Sequence, residues 1–342
     1  MKDYGRFLYV TFMIIITGGA GFIGSCLQAA LVARGLETVI IDKLGTQGKW
    51  RNIASHPPVH FINPNPENLD ALPTFLENLD RADMLFHMGA ICETTAYDGD
   101  QVWQTNVALS RKLWEWCTRT KTRFIYASSA ATYGLAEKPE QFSDSPHLIQ
   151  TLTPMNLYGW SKHVFDQQVL TLAKENKAPP QWVGLKFFNV YGPNEYHKGN
   201  MVSVVKVKYD EICRGEPARL FRSHRADLDH GMQARDFIWV QDVVNIMLWL
   251  YDTPSVSGVF NCGTGVARTY LDLAHAVCDA AGYKRCVEFV DMPLSLRGQY
   301  QSYTQADMTR LRAAGYTGHF TSLEEGIRRY VQDYLATATP YY

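Results

Sequence analysis

The sequence predicts an α/β fold, a doubly wound parallel sheet with a smaller α/β substrate-binding domain, and three observations carry that prediction. Met13-Ile14-Ile15-Ile16-Thr17 is a short, unbroken, β-branched run, the pattern of a strand buried on both faces of a parallel sheet. Gly18-Gly19-Ala20-Gly21-Phe22-Ile23-Gly24 follows it directly and opens a helical pattern through Ala33. A second strand-like run, Thr38-Val39-Ile40-Ile41, ends in Asp42, roughly 18 residues past Gly24. Strand, glycine turn, helix, strand and acid in this order make the first half of a Rossmann-type dinucleotide fold.

Each part of that order has its chemistry. Gly19, Gly21 and Gly24 fit G-x-G-x-x-G, in which glycine allows a tight turn and a close backbone approach to a pyrophosphate resting on the helix N-terminus. Gly18, Gly21, Phe22, Ile23 and Gly24 are therefore candidate cofactor contacts, and Asp42 is spaced to bind the adenosine ribose hydroxyls. Lys43, Lys49 and Arg51 lie just beyond, where the 2′-phosphate of NADP would sit. A solvated loop explains the same cations, so both readings stay open, with NADP the expected cofactor and NAD the alternative.

Asp83-Met84-Leu85-Phe86-His87 reads as another strand, and the small residues Gly89 and Ala90 after it let the backbone lie beside a cofactor. A long amphipathic segment from Tyr97 to Thr118 carries Asn106, a further candidate cofactor contact. The strand Arg123-Phe124-Ile125-Tyr126-Ala127 then delivers the hydroxyls of Ser128 and Ser129 to the carboxyl end of the sheet, where such folds bind ligands. Tyr158 and Lys162, in Tyr158-Gly159-Trp160-Ser161-Lys162, stand four apart and share a helix face. An ammonium beside a phenol favours the phenolate, so the tyrosine is expected to have a lowered pKa. Ser, Tyr and Lys converging on a nicotinamide can deprotonate an alcohol while hydride leaves its carbon.

With 342 residues, 46% hydrophobic and 20% charged, the chain can bury a full core, and its net charge of -1 without any basic run excludes a field for nucleic acid or anionic lipid. A small molecule is the expected partner. Seven dispersed cysteines with no C-x-x-C pair read as reduced core thiols of a cytoplasmic protein. Leu8 to Ile16 is too short to span a bilayer. Residues 1–12 read as an extension outside the fold, with Met13 an alternative start. His224, Asp227, Asp229 and His230 fall in a long segment, Ser223 to Ala234, that reads as a polar surface loop and not a metal site.

The chain resembles the extended short-chain dehydrogenase/reductase family in Thr17 to Gly24, Asp42, Ser128-Ser129, Tyr158 to Lys162 and Phe188-Asn189-Val190-Tyr191-Gly192-Pro193. These blocks cover roughly the first 200 residues. The resemblance implies a nucleotide-sugar substrate, a homo-oligomer, and Ser129 as the catalytic serine. Family dehydratases place an acidic pair directly after that residue; Ala130 and Ala131 stand here, which argues against dehydration. Further blocks extend the likeness almost to the end of the chain, toward the family's epimerases of nucleotide-linked heptoses, which serve lipopolysaccharide core synthesis. They are Tyr126 to Gly134, His197-Lys198-Gly199, Arg297-Gly298-Gln299-Tyr300-Gln301 through Asp307, and Leu311 to Tyr316.

That likeness implies Lys198 as a second acid/base, Asn189 near the substrate diphosphate, and Arg297 and Tyr300 near sugar or phosphates. Arg235 is a further candidate phosphate ligand, and Glu93 and Thr94 lie where they could touch sugar hydroxyls. A 4-epimerase of a UDP-sugar and a non-catalytic dinucleotide sensor are the rival readings. The expected division is a dinucleotide domain of residues 13–185 plus about 236–262, and a substrate domain of residues 186–235 plus 263–342.

Overall fold

A computed structural model describes residues 13–64, 76, 79, 82–297 and 300–342; the expected extension 1–12 lies outside the described residues. The chain runs β1 (Ile14–Thr17), α1 (Phe22–Ala33), β2 (Thr38–Ile41), β3 (His60–Ile62), β4 (Met84–His87), α2 (Leu109–Thr120), β5 (Arg123–Ser129), α3 (Leu157–Lys174) and β6 (Trp182–Phe187) through a first lobe. It continues through β7 (Asn189–Tyr191), α4 (Val204–Cys213), β8 (Ala218–Phe221), β9 (Ala234–Trp239), α5 (Val240–Asp252), β10 (Gly258–Cys262), β11 (Ala267–Thr269), α6 (Tyr270–Ala281), β12 (Val287–Val290) and α7 (Leu323–Arg329).

The main sheet has the order β10-β6-β5-β4-β1-β2-β3, and every neighbouring pair is parallel. Its β-branched run explains itself in the packing. Ile14 and Ile16 face α1 and α5, meeting Leu27, Leu31, Val243 and Met247. Ile15 faces the other way, into Leu113, Trp114, Phe165 and Val169 of α2 and α3. Helices on both faces require apolar residues at every strand position. Strand order reverses between β1 and β4, which opens a crevice at their carboxyl ends.

The second lobe carries the sheets β11-β9-β7 and β12-β8, cored by Val205, Ile212, Leu273, Val277, Ile327 and Tyr330. Within residues 236–262, expected to belong to the dinucleotide domain, β9 does not join the main sheet: it pairs with β7 and β11, and β10 alone supplies the last main-sheet strand. The chain returns to the first lobe only with α5, because an apolar run does not specify which sheet it joins. The expected core thiols also divide. Cys26, Cys117, Cys262 and Cys278 are buried, whereas Cys92, Cys213 and Cys286 are exposed. Among the described residues no helix is long and apolar enough to cross a membrane.

Candidate active site

The crevice at the sheet reversal is a cleft of about 540 Å³, lined by residues of both lobes. Its floor is backbone. Gly18 holds φ +68, and a Cβ there would come within 2.5 Å of Gly89 N, so glycine lets the loops after β1 and β4 touch. α1 starts at Gly21 with no side-chain cap, which leaves its first-turn N–H groups for an anion. At the end of β2 the Asp42 carboxylate accepts from Ala20 N (2.9 Å), Lys43 N (2.7 Å) and Lys49 Nζ (2.6 Å). A pressed glycine floor, an open helix N-terminus and a carboxylate at the second strand end suit a dinucleotide.

One wall of the cleft is built on β5 and α3. The Asn156 side chain caps α3, accepting from Gly159 N at 2.8 Å. A Cβ on Gly159 would meet Ala131 O at 2.7 Å, so glycine lets the first turn of α3 press against the turn that follows Ser129. Tyr158 thereby reaches the Ser129 hydroxyl and hydrogen-bonds it. The neighbouring Ser128 is spent elsewhere, donating to Asp166 Oδ2 at 2.7 Å. Asp166, two turns beyond Tyr158, also takes the Tyr126 hydroxyl (2.8 Å) and the Lys186 ammonium (2.6 Å), and both charged side chains are fully buried. This network locks α3 to β5 and β6.

The electrostatics here correct an expectation. Burial pushes the Tyr158 phenol up to about 12, opposed by its hydrogen bond from Ser129, and pulls Lys162 down to about 8, opposed by Asp166. Burial dominates at the phenol, so the chain's own groups keep it protonated at neutral pH.

The cleft's other lining residues, here its second wall, come from the second lobe. Lys198 sits on the turn Tyr196–Met201, its Nζ 5.3 Å from the centre of the Phe22 ring at the start of α1. Arg235, 6% exposed, is stacked between Tyr270 (5.6 Å) and Tyr300 (5.1 Å) and donates to Ala234 O at 2.9 Å and to Gln301 O. Asn189 opens β7 on the same wall.

Of the residues singled out from sequence, Gly18, Gly21, Phe22, Ile23, Gly24, Asp42, Lys49, Gly89, Ala90, Thr94, Ser129, Tyr158, Lys162, Asn189, Lys198 and Arg235 line this one cleft. Five do not. Asn106 is 1% exposed and fully engaged: its side chain accepts from Ile91 N and donates to Ile91 O, both at 2.9 Å, and donates to Ser161 Oγ at 3.0 Å. It braces the loop after β4 against α3 and has no donor left for a cofactor. Lys43 is exposed, and its carbonyl accepts from Lys49 Nζ at 3.1 Å. Glu93 points to solvent, and Arg297 is exposed and donates to Met292 O at 3.1 Å. Tyr300 stacks on Arg235 and does not line the cleft. In the long polar loop Arg225 pairs with Asp227 at 2.7 Å and with Glu137, and His230 Nδ1 accepts from Ser223 N at 3.1 Å. Sequence reasoning passed over Cys92, Gln301 and Thr304 as cleft residues. Gln301 and Thr304 belong to the block recognised after Arg297, a signal that was present; Cys92 carries none.

The NAD dependent epimerase/dehydratase family matches residues 14–263. The chain is 44% identical over 336 residues to the ADP-L-glycero-D-manno-heptose-6-epimerase of Nitratidesulfovibrio vulgaris strain DP4, covering 96% of this chain and 100% of that protein. Its fold is similar to the crystal structure of the Helicobacter pylori ADP-L-glycero-D-manno-heptose-6-epimerase, with a TM-score of 0.78 at 28% identity, over 94% of this chain and 96% of that one. The Thermus thermophilus UDP-glucose 4-epimerase, solved with NAD, superposes with a TM-score of 0.73 at 26% identity, over 93% and 97% of the two chains. A match across the whole main sheet, with a cleft built on its glycine turn and on Ser129, Tyr158 and Lys162, gives the assignment: the chain belongs to the NAD dependent epimerase/dehydratase family.

Proposed function

We propose that this chain is an epimerase that interconverts ADP-D-glycero-D-manno-heptose and ADP-L-glycero-D-manno-heptose by transient oxidation at C6″. The observation that carries the reading is a cleft with Tyr158 and Ser129 on one wall and Lys198 on the other. An epimerase returns hydride to the opposite face of the carbon it oxidised, so the substrate oxygen ends beyond reach of the first acid/base. A proton-exchanging group on each wall meets that need. The heptose substrate follows from likeness over nearly the full chain to relatives bearing that name.

Tyr158 takes the C6″ hydroxyl proton, and Ser129 steadies the oxygen. When bound, the oxidised dinucleotide supplies the hydride acceptor and a positive charge that favours the Tyr158 phenolate. Lys162 holds the nicotinamide ribose. Lys198 exchanges the proton after the ketone has turned about the C5″-C6″ bond. Asn189 and Arg235 hold the diphosphate, the stacked guanidinium offering its remaining N–H groups to phosphate oxygens.

We assign NADP as the cofactor because Lys49 already neutralises Asp42 at 2.6 Å while the exposed Lys43 adds a further cation beside it. A 2′-phosphate entering there meets net positive charge. Three measurements test the whole reading. The purified chain should turn over ADP-heptose and leave UDP-glucose unchanged, and the nucleotide released on denaturation should have the mass of NADP. In deuterated water the product should carry no label at C6″; label there contradicts direct hydride return.

A further inference from the structure

Lys198 stands on a short turn, Tyr196–Met201, in which Gly199 adopts φ 54. A turn of this kind has few backbone hydrogen bonds of its own, so its position depends on what lies behind it. What lies behind it is buried and polar. Asn52 is 4% exposed and its Nδ2 donates to Ala20 O at 2.9 Å and to Asn194 O at 3.0 Å. His197 Nδ1 lies 3.2 Å from the same nitrogen, and the imidazole also meets the Asn194 carbonyl. Asn194 is fully buried at φ 72, a left-handed conformation that asparagine tolerates better than most residues. Its side chain donates to Ser25 Oγ at 2.9 Å and Asn52 O at 3.3 Å, and accepts from Tyr342 N at 3.0 Å.

The knot reaches the dinucleotide end of the cleft through one residue, Ala20, by its two flanking peptide groups. Ala20 gives its carbonyl to Asn52, and its amide donates to Asp42 Oδ2 at 2.9 Å. A continuous path therefore runs from the Asp42 carboxylate through the Ala20 backbone and the Asn52 amide to Asn194 and His197, and the next residue is Lys198. We propose that Asn52 is a positioning residue, tying Ala20, whose amide holds Asp42, to the turn that carries Lys198, so that the second wall's proton donor is aligned by the dinucleotide end of the cleft. This rests on the reading of Lys198 as the second acid/base. Asn52 touches neither wall's reacting groups, and its removal frees Ala20, Asn194 and His197 at once. Misplacing a reacting group by about 1 Å costs on the order of 10²-fold in rate.

The test uses the full chain loaded with NADP, with stopped-flow fluorescence reporting reduced nicotinamide after mixing with each heptose epimer separately. Asn52→Ala should retain the dinucleotide, melt as a folded protein, and lower kcat about 10²-fold with KM little changed. Reduction by the epimer that Tyr158 serves should stay near the wild-type rate, while reduction by the other epimer slows by the same factor as kcat. Lys198→Met should show the same asymmetry, more strongly. Equal slowing from both epimers, or loss of the dinucleotide, would make Asn52 a structural bolt and overturn the proposal. If Lys198→Met slows both epimers alike, the assignment of Lys198 itself fails. If Lys198→Met is asymmetric and Asn52→Ala is not, only the positioning role fails. Should Asn52→Ala not fold, Ser25→Ala removes one acceptor of the same knot and should give the same asymmetry at about tenfold; symmetric behaviour there overturns the proposal equally.

Discussion

The two walls of the cleft carry proton-exchanging groups on different kinds of support. Tyr158 rises from a capped helix of 18 residues, pressed by Gly159 onto the turn after Ser129 and locked from behind by the buried Asp166–Lys186 pair. Lys198 stands on a turn in the second lobe, half-buried, backed by amide hydrogen bonds to residues far apart in the chain. The contrast teaches that one wall gains its geometry from regular structure and buried charge. The other borrows its geometry from contacts between lobes, a support that ligand binding can adjust.

The sharpest way to break that comparison is to remove the fixed wall's proton. Tyr158→Phe keeps the ring and its packing, and should lower kcat for epimerisation about 10³-fold while the dinucleotide stays bound. Retained activity would shift the burden to Lys198 alone. The next effect is on stability. Lys186→Met leaves Asp166 buried with only the Tyr126 and Ser128 hydroxyls for partners, and breaking such a pair costs about 3 kcal/mol or more. Lys198→Met, a half-exposed turn residue, should change stability by less than about 0.5 kcal/mol. Denaturant melts of the two variants measure the difference in support directly; equal costs would erase it.

The same contrast decides how far the molecule could be read in advance. The first lobe was legible because its signals are local: a β-branched run, a glycine turn, an acid at the second strand end, and a Tyr-Lys pair at helical spacing. Ser129 could be preferred over Ser128 only by resemblance, and the structure supplies the physical reason in the bond from Ser128 to Asp166. The misreadings share one cause, the lack of any local trace. Asn106 looks like any polar residue on an amphipathic helix until Ile91 and Ser161 close around it. The stack around Arg235 comes from Tyr270 and Tyr300, distant in the chain. The raised phenol pKa at Tyr158 sums burial by several elements, which no spacing rule contains.

A smaller effect separates the two lobes by pH, since each contains a histidine that burial keeps neutral. His87 joins β4 to Thr17 Oγ1 (2.6 Å) and Ser110 Oγ (2.8 Å), and burial together with the Lys162 charge lowers it to about 3. His197, half-buried in the other lobe, is lowered to about 4 by burial and by Lys49 and Lys198. An imidazole depressed in the fold takes its proton more readily once unfolded. Its contribution to stability is therefore whole above about pH 6.5 and is lost as pH falls below that value, at up to about 1.4 kcal/mol per pH unit for a fully buried ring, until the folded ring also protonates. Buried carboxylates raised by desolvation, such as Asp236 and Glu195, act in the opposite sense, so the total pH profile mixes signs. Comparing wild type with His87→Asn removes that mixture, because the carboxylates are common to both. The stability gap between them should shrink from pH 7.5 to pH 5 by about 2 kcal/mol. For His197→Asn the gap should close by less, because solvent reaches the ring. Gaps that close equally would place the two histidines in equally dry surroundings and remove this part of the distinction between the lobes.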